Sequence, residues 1–412
     1  MMERIVLKEF DELYIKNIRD VSKGYITSDD AIALQSIIMD QQPVFRWGYK
    51  KLIAQHWIGT ITLKDLNIEI LPKLYGQVSA DELRLILMRM IFISHQSPSV
   101  REVPGMAQLT NNSLIEMLIS TFLNACDRYT KEGLQNSYKK INSNIVGVKG
   151  RILFNKQINS NYLDPCKFWC HYSKFDADNN INRFIKLCLR QMLLVSNDDQ
   201  NLKRIRSLLP IFDDVSLISK DQALSCTITF NSVNHKAEES YDYGKLFLSN
   251  VYSTLSAGNT KISMMLFDMN SLFELFIYKT AKTIYRGNVT YQLRGNYLIE
   301  RNFDHKKFIG LRPDIVIKKN SGMLDIIDTK WKIPTNFAKE SDAYQMNAYS
   351  SGIDNVDRIF LIYPYTQNSD MINDFSFIDH DDGNRPLLIR TIDLRDVLNW
   401  NVFIAKFKLL FN

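Results

Sequence analysis

LRPDIVIKKNSGMLDIIDTKWK, residues 311–332, decides how the last third of the chain is read. Two short apolar runs are joined by a polar, glycine-containing turn, and the composition of each suits a strand. Asp314 heads the first run, and the second ends in Asp328-Thr329-Lys330. Side chains alternate along a strand, so Asp328 and Lys330 share a face with Leu324 and Ile326, and Asp314 shares its face with Val316. If the strands are antiparallel neighbours, Asp314 and Asp328 converge.

Two carboxylates at one point suit a divalent cation, with Mg²⁺ the first expectation and Mn²⁺ an alternative. The backbone carbonyl of Thr329 offers a further oxygen. Such ions prefer oxygen ligands, keep several waters and complete their shell with substrate phosphate. A metal-bound water is a strong nucleophile, and Lys330 beside it would hold the scissile phosphate or offset developing charge. Phosphodiester hydrolysis is therefore the expected chemistry.

Neighbouring helices add candidates. Glu274 lies in FDMNSLFELF four residues after Asn270 on the same helical face, and is a possible third acid, bound to the cation directly or through water. Gln345 and Tyr349 share a face of SDAYQMNAYSSG and are placed to orient the lysine or bind a phosphate. Tyr344 points elsewhere and is expected in the core, Asp342 near a helix start is expected to help cap it, and the Ser-Asp start and Gly352 are expected to bound that helix. The order in this region is helix, three strands, helix, strand, ending in the buried run DRIFLIYPY. This predicts an α/β layered domain over residues 263–412. KISMMLFDMNSLFELFIYKTAKTIY is read as one helix, with Leu266, Met269, Phe273 and Ile277 on its apolar face.

Upstream the period changes twice. Residues 1–78 read as a β-rich domain, with Thr60–Leu63 and Asn67–Leu71 forming a hairpin. Just before it, Arg46, Trp47, Tyr49 and Lys50 interleave aromatic and basic groups and are the candidates for partner contact. Residues 79–262 read as a mainly helical middle domain. It opens on DELRLILMRMIFIS, with Asp81 and Glu82 in the first turn. SYKKINSNIVGVKGRILFNKQI is expected as a connector with short strands, and YGKLFLSNVYSTL as a helix. The whole is a multidomain α+β chain: a β-rich N-terminal domain, a helical middle and a C-terminal α/β domain.

At 412 residues two or three domains are expected. The formal charge of +6 permits nucleic-acid contact without requiring it. MMERIVLKEF lacks the basic-then-apolar pattern of a secretory signal, and no apolar run is long enough to cross a bilayer, so a cytoplasmic protein without a membrane partner is expected. The five cysteines are odd in number and scattered, which suits reduced thiols. Cys166, Cys170 and His171 lack a second ligand pair at finger-like spacing and read as packing residues.

Leu266 to Pro364 resembles the PD-(D/E)XK nuclease superfamily through FDMNSLFE (267–274), RPDIVI and DTKWK within 312–332, and DAYQMNAY (342–349). With IEILPKL (68–74), VKGRI (148–152) and NNINRFIK (179–186), nearly the whole chain is similar to the McrC-like nuclease subunits of McrBC-type modification-dependent restriction systems, which act in phage defence; 5-methylcytosine, another modified base and an unmodified site all stay open as the DNA feature recognised, because the reader lies in the partner. The resemblance implies Asp314, Asp328 and Lys330 as the catalytic triad, with Glu274 and Gln345 at the flanking helical positions. It also implies a partner, an McrB-like AAA+ GTPase ring that binds the GTP and reads the DNA. The McrC-like subunit enters that ring through its N-terminal region, stimulates NTP hydrolysis and cuts double-stranded DNA. No Gly-rich loop ending in Gly-Lys-Ser/Thr occurs, so this chain is not expected to bind GTP itself. The alternative is a non-cleaving assembly and NTPase-stimulating factor whose nuclease fold clamps DNA. A free-standing repair nuclease fits less well, because the N-terminal half has no recognisable DNA-binding motif.

Overall fold

The computed structural model describes residues 3–74, 76–95, 113–161, 163–164, 166–255, 261–332, 339–365, 373–377 and 385–411. The chain is mixed α/β and divides into two compact units. Residues 1–115 and 250–412 form one, and residues 116–249 form the other.

In the first unit, five strands pair in the order Glu3–Lys8, Leu66–Leu71, Trp57–Thr62, Lys261–Asp268, Val251–Leu255. The expected N-terminal hairpin is present: Trp57–Thr62 and Leu66–Leu71 are antiparallel. The strand Lys261–Asp268 then pairs with Trp57–Thr62 in antiparallel register. This pairing sets the N-terminal and C-terminal segments in one sheet, across the divisions expected at 78/79 and 262/263. Gly59 makes it possible. Its φ is +134°, and a Cβ there would lie 2.0 Å from the Met265 carbonyl oxygen, so only glycine admits the incoming strand. Ile61, Ile68, Ile70, Ile262 and Leu266 meet in the core beside this sheet.

The strand 261–268 corrects the single long helix expected there. Asp268 ends it and caps the helix Met269–Tyr285, accepting from Asn270 N and Ser271 N. The apolar run up to Phe267 satisfies its backbone in the sheet, and helical hydrogen bonding starts only after the cap. Leu266 is therefore a strand residue, while Met269, Phe273 and Ile277 are buried on the helix. The helix Ala80–Ser94 starts as expected, with a reciprocal capping box between Ser79 and Glu82.

The second sheet of this unit runs Val289–Tyr291, Ile315–Lys318, Leu324–Thr329, Val356–Pro364, Pro386–Ile392, Asn373–Ser376. Ile315–Lys318 and Leu324–Thr329 are antiparallel, and Leu324–Thr329 runs parallel to Val356–Pro364. The intervening helix Glu340–Gly352 is a crossover of the kind parallel neighbours require. It starts at Glu340 after Lys339, with no side-chain cap, so Ser341 lies inside it.

The second unit is less purely helical than expected. Ser137–Val146 and Lys167–Asp176 are ten-residue strands paired antiparallel over their full length. The glycine-punctuated segment between them folds back onto this ribbon. The partner strand arrives some thirty residues later, a pairing that local periodicity does not reveal. Around it lie helices including Asn180–Val195 and Glu238–Asn250. The helix expected over YGKLFLSNVYSTL ends at Asn250, and Val251–Leu255 is a strand of the first unit. Cys170 is buried and Cys166 exposed, and all five cysteines are free thiols. No described helix is long and apolar enough to cross a membrane.

Candidate active site

Asp314 sits one residue before the strand Ile315–Lys318, and Asp328 and Thr329 close the neighbouring strand. The antiparallel register pairs Ile315 with Ile327, which brings the two ends together. Thr329 then fixes Asp314 twice: its backbone N–H donates to Asp314 Oδ2 at 2.7 Å and its hydroxyl to the same oxygen at 3.0 Å. Asp328 is fully buried. Its Oδ2 lies 2.5 Å from Lys330 Nζ, yet neither carboxylate oxygen accepts a well-directed hydrogen bond among the described residues. An ionised carboxylate buried this way is costly unless a second cation completes its shell.

The electrostatics agree with the geometry. Burial, and then the nearby Asp314 charge, push the Asp328 carboxyl up to about 7. Burial also raises Asp314, against the opposing pull of Thr329 and Lys330. Lys330 is raised: burial would lower it, but Asp328, Asp314 and Asp342 together outweigh burial. Two acids competing for charge beside one fixed ammonium mark a centre that a divalent cation would relieve.

The helix Glu340–Gly352 supports the lysine. Lys330 Nζ donates to Gln345 Oε1 at 3.1 Å, Gln345 Nε2 donates to the Tyr349 hydroxyl at 2.8 Å, and Tyr349 donates to the Arg312 carbonyl at 3.0 Å. This chain of bonds runs from the lysine back to the residues just before Asp314. Two expectations on this helix are corrected. Tyr344 is exposed and donates to Glu340, because the helix turns that face away from the sheet. Asp342 is buried, pairs with Lys332 and accepts from Tyr363, so it ties the helix to the sheet.

Glu274 stands beside the pair without joining it. Its Oε1 accepts from Gln292 Nε2 at 2.8 Å, and its carboxyl is raised by burial and by the Asp314 charge. Gln292 also donates its backbone N–H to the Asp314 carbonyl at 2.8 Å, and its side-chain oxygen accepts from Arg312. Among the described residues, no three His, Cys, Asp or Glu side chains converge as a ready ligand set. The donors that fit a cation are thus Asp314 and Asp328, with backbone oxygen and water completing the shell and Glu274 at one remove. Asn270 is drawn to Asp268 at the helix cap.

Sequence reasoning missed Gln292, Arg312 and the pairing of Trp331 with Glu9. Trp331 follows Lys330 directly, and its indole N–H lies 3.0 Å from both oxygens of Glu9. No local pattern marks this pair, because its two residues come together across more than three hundred residues of chain.

Arg46, Trp47, Tyr49 and Lys50 do not belong to this centre. They lie on the hairpin of Phe45–Gly48 and Lys51–Ala54, within a separate four-stranded sheet. Tyr49 is 87% exposed at its turn. A cleft of about 510 Å³ also opens in the second unit, lined by Asp178, Asn179 and Arg183 among others. Its Asp178, however, is tied to Arg183 and Ser216 and held well below the usual carboxylate range. That is a structural clamp, so volume alone does not locate the chemistry.

Residues 52–364 match the family described as McrBC 5-methylcytosine restriction system component. No curated protein sequence matches. A chain from the half-complex of the tetradecameric Thermococcus gammatolerans assembly of McrB AAA+ hexamers with bound McrC superposes with a TM-score of 0.68 at 18% identity, over 97% of this chain and 100% of that one. A chain of the Thermococcus gammatolerans McrBC complex gives a TM-score of 0.51 at 20% identity, over 70% of this chain and 89% of that one. At such identities the likeness speaks for the fold, whereas the family match spans most of the sequence. The chain belongs to the McrBC 5-methylcytosine restriction system component family.

Proposed function

We propose that this chain is the metal-dependent DNA endonuclease subunit of an McrBC-type restriction system, working in the cytoplasm with an McrB-like AAA+ GTPase ring. One observation carries the reading: Asp314, locked by Thr329, and Asp328, buried with Lys330 against it, face one point at the end of two antiparallel strands. Asp314, Asp328 and the Thr329 carbonyl would hold Mg²⁺, or Mn²⁺ in its place. The bound ion would supply Lewis acidity and a water of lowered pKa. Lys330 would stand against the scissile phosphate, kept in place by Gln345 and Tyr349. Glu274 would take or relay a proton at the edge of the site, since burial holds its carboxyl above the usual range.

The partner reading rests on family membership and on the bound McrB hexamers of the Thermococcus gammatolerans assembly. GTP would be held by the ring. Arg46, Trp47, Tyr49 and Lys50, on an exposed hairpin away from the acids, are the proposed contact.

The test is digestion of methylated and unmethylated plasmid by the chain with its co-purified partner, GTP and Mg²⁺. Asp314→Ala and Lys330→Ala should abolish cutting while still stimulating NTP turnover. Cutting at the wild-type rate by either variant removes the assignment. A wild-type chain that stimulates turnover but never nicks DNA in Mg²⁺ or Mn²⁺ favours the non-cleaving clamp.

A further inference from the structure

The segment just before Asp314 is a free-standing hairpin. Among the described residues Asn296–Glu300 and Lys307–Leu311 pair only with each other, antiparallel. Successive strand residues point to opposite faces, and here both faces are open: Leu298 is 40% exposed, Ile299 52%, Ile309 59% and, at the turn, Phe303 91%. An isolated two-stranded hairpin is marginal in water, and apolar side chains on both of its faces ask for a covering partner. Its root, by contrast, is firmly seated. A Cβ on Gly352 would lie 2.3 Å from Leu311 Cδ1, so the hairpin base packs against the end of the helix that carries Gln345 and Tyr349. Ile309 adopts φ +57°, a conformation that β-branched residues avoid.

Charge selects the partner. From Arg294 to Arg312 there are five Lys or Arg against two acids, net +3. Those acids are already engaged, Asp304 by Arg301 and Glu300 by His305. Among the described residues Arg294, Lys306 and Lys307 take part in no ion pair, and all three are exposed. Leu311 ends the hairpin three residues before Asp314. A cationic, aromatic-tipped arm rooted at a phosphodiester-cleaving centre fits a polyanion with stackable bases.

We propose that the 296–311 hairpin grips duplex DNA for the candidate nuclease site, with Arg294, Lys306 and Lys307 on backbone phosphates and Phe303 wedged into a groove against the base steps. The proposal rests on the endonuclease reading and names how that site holds its substrate.

The experiment measures binding of the full chain to a fluorescein-labelled duplex of about 30 base pairs across a salt series, without divalent metal so that no cutting intervenes. Lys306→Gln with Lys307→Gln should weaken binding about tenfold or more at ~0.1 M salt and lower the slope of log affinity against log salt by about 2. Phe303→Ser should weaken binding with the slope unchanged, and should remove the fluorescence rise of a 2-aminopurine placed in the duplex. Should Phe303→Ser perturb folding, Phe303→Gln keeps the length but has no apolar face to wedge between base steps and gives the same readout. Wild-type affinity and slope in these variants overturn the proposal, as does a wild-type chain that binds no duplex at low salt. Loss of self-association in Phe303→Ser with DNA binding intact assigns the hairpin to a second copy and also overturns it. Hairpin-dependent binding by a chain that never cuts would sink the nuclease reading alone. Cutting that ignores the hairpin variants would sink this proposal alone.

Discussion

Replacing Glu9 tests how the strand end beside Lys330 is held. Glu9 is fully buried. It accepts the Lys73 backbone N–H at 3.0 Å and the Trp331 indole N–H at 3.0 Å to each oxygen. Burial pushes its carboxyl up from 4.5 to about 7, against the pull of those donors, with Asp268 adding a smaller push upward. An acid whose folded value lies above its unfolded value keeps its proton longer in the native state. Its contribution is therefore fully present below about 4.5 and is lost as pH rises through about 7. The slope in that window is between about 1 and 2 kcal/mol per pH unit, and the total is on the order of 3 kcal/mol. Glu9→Gln removes the titration and keeps one acceptor. Urea unfolding followed by tryptophan fluorescence is a suitable assay, because four of the five tryptophans lie in the first unit. Other buried carboxyls, Asp328 among them, contribute slopes of the same sign, so the readout is wild type minus variant. That difference should fall as pH rises from about 4.5 to about 7 and level off above. Parallel pH profiles for wild type and Glu9→Gln would refute the argument. Glu9→Leu is the control: it also removes the titration, leaves the Lys73 and Trp331 N–H groups without their acceptor, and should lie about 1–3 kcal/mol below Glu9→Gln at every pH.

Mg²⁺ at about ten times its dissociation constant should stabilise the wild type by roughly 1.4 kcal/mol in thermal unfolding and leave Asp328→Asn unmoved; equal shifts in both would place the ion elsewhere. Because the Asp328 carboxyl is pushed up to about 7, that metal-induced shift should be smaller about one unit below pH 7 than about one unit above it. Tyr349→Phe removes the bond to the Arg312 carbonyl and a neighbour of Gln345, and should cost about 1 kcal/mol in urea unfolding and lower the cutting rate with little change in DNA affinity. Gly59→Ala, which drives a Cβ into the Met265 carbonyl, should cost more than about 3 kcal/mol or prevent soluble expression.

The convergence of Asp314 and Asp328 was legible because it depends on local facts: alternation along each strand, a short turn, and the antiparallel pairing a short turn implies. Gln345 and Tyr349 were legible for a similar reason, since residues four apart share a helical face. The strand 261–268 was not. Its apolar residues satisfy helical and strand periods alike, and the choice was made by Trp57–Thr62, two hundred residues earlier, together with Gly59 and the Asp268 cap. The ten-residue ribbon of the second unit stayed hidden because its strands are separated by a segment with its own turns and short helix. Asp342 was misread because a carboxylate near a helix start looks like a cap until its partners, Lys332 and Tyr363, arrive from the sheet.

The two acids of the site differ in a way that bears on their roles. Asp314 is exposed enough to meet solvent, yet one oxygen is committed to two Thr329 donors. It is positioned before any ion arrives, and its charge is partly offset by those donors. Among the described residues Asp328 has no such donors and is sealed from water, so there its ionised form leans on Lys330. An aspartate paired only for stability would gain by taking hydrogen bonds from the donors around it, as Asp342 does from the Tyr363 hydroxyl. Leaving a buried carboxylate short of partners costs on the order of a few kcal/mol, and a fold retains such a cost where a ligand offsets it. Thr329→Val separates the two roles. It removes one of the two bonds on Asp314 and leaves Asp328 untouched. Cation affinity should then weaken modestly, through misplacement of Asp314. Full loss of affinity, equal to that of Asp328→Asn, would mean that the fixed acid and not the starved one dominates binding.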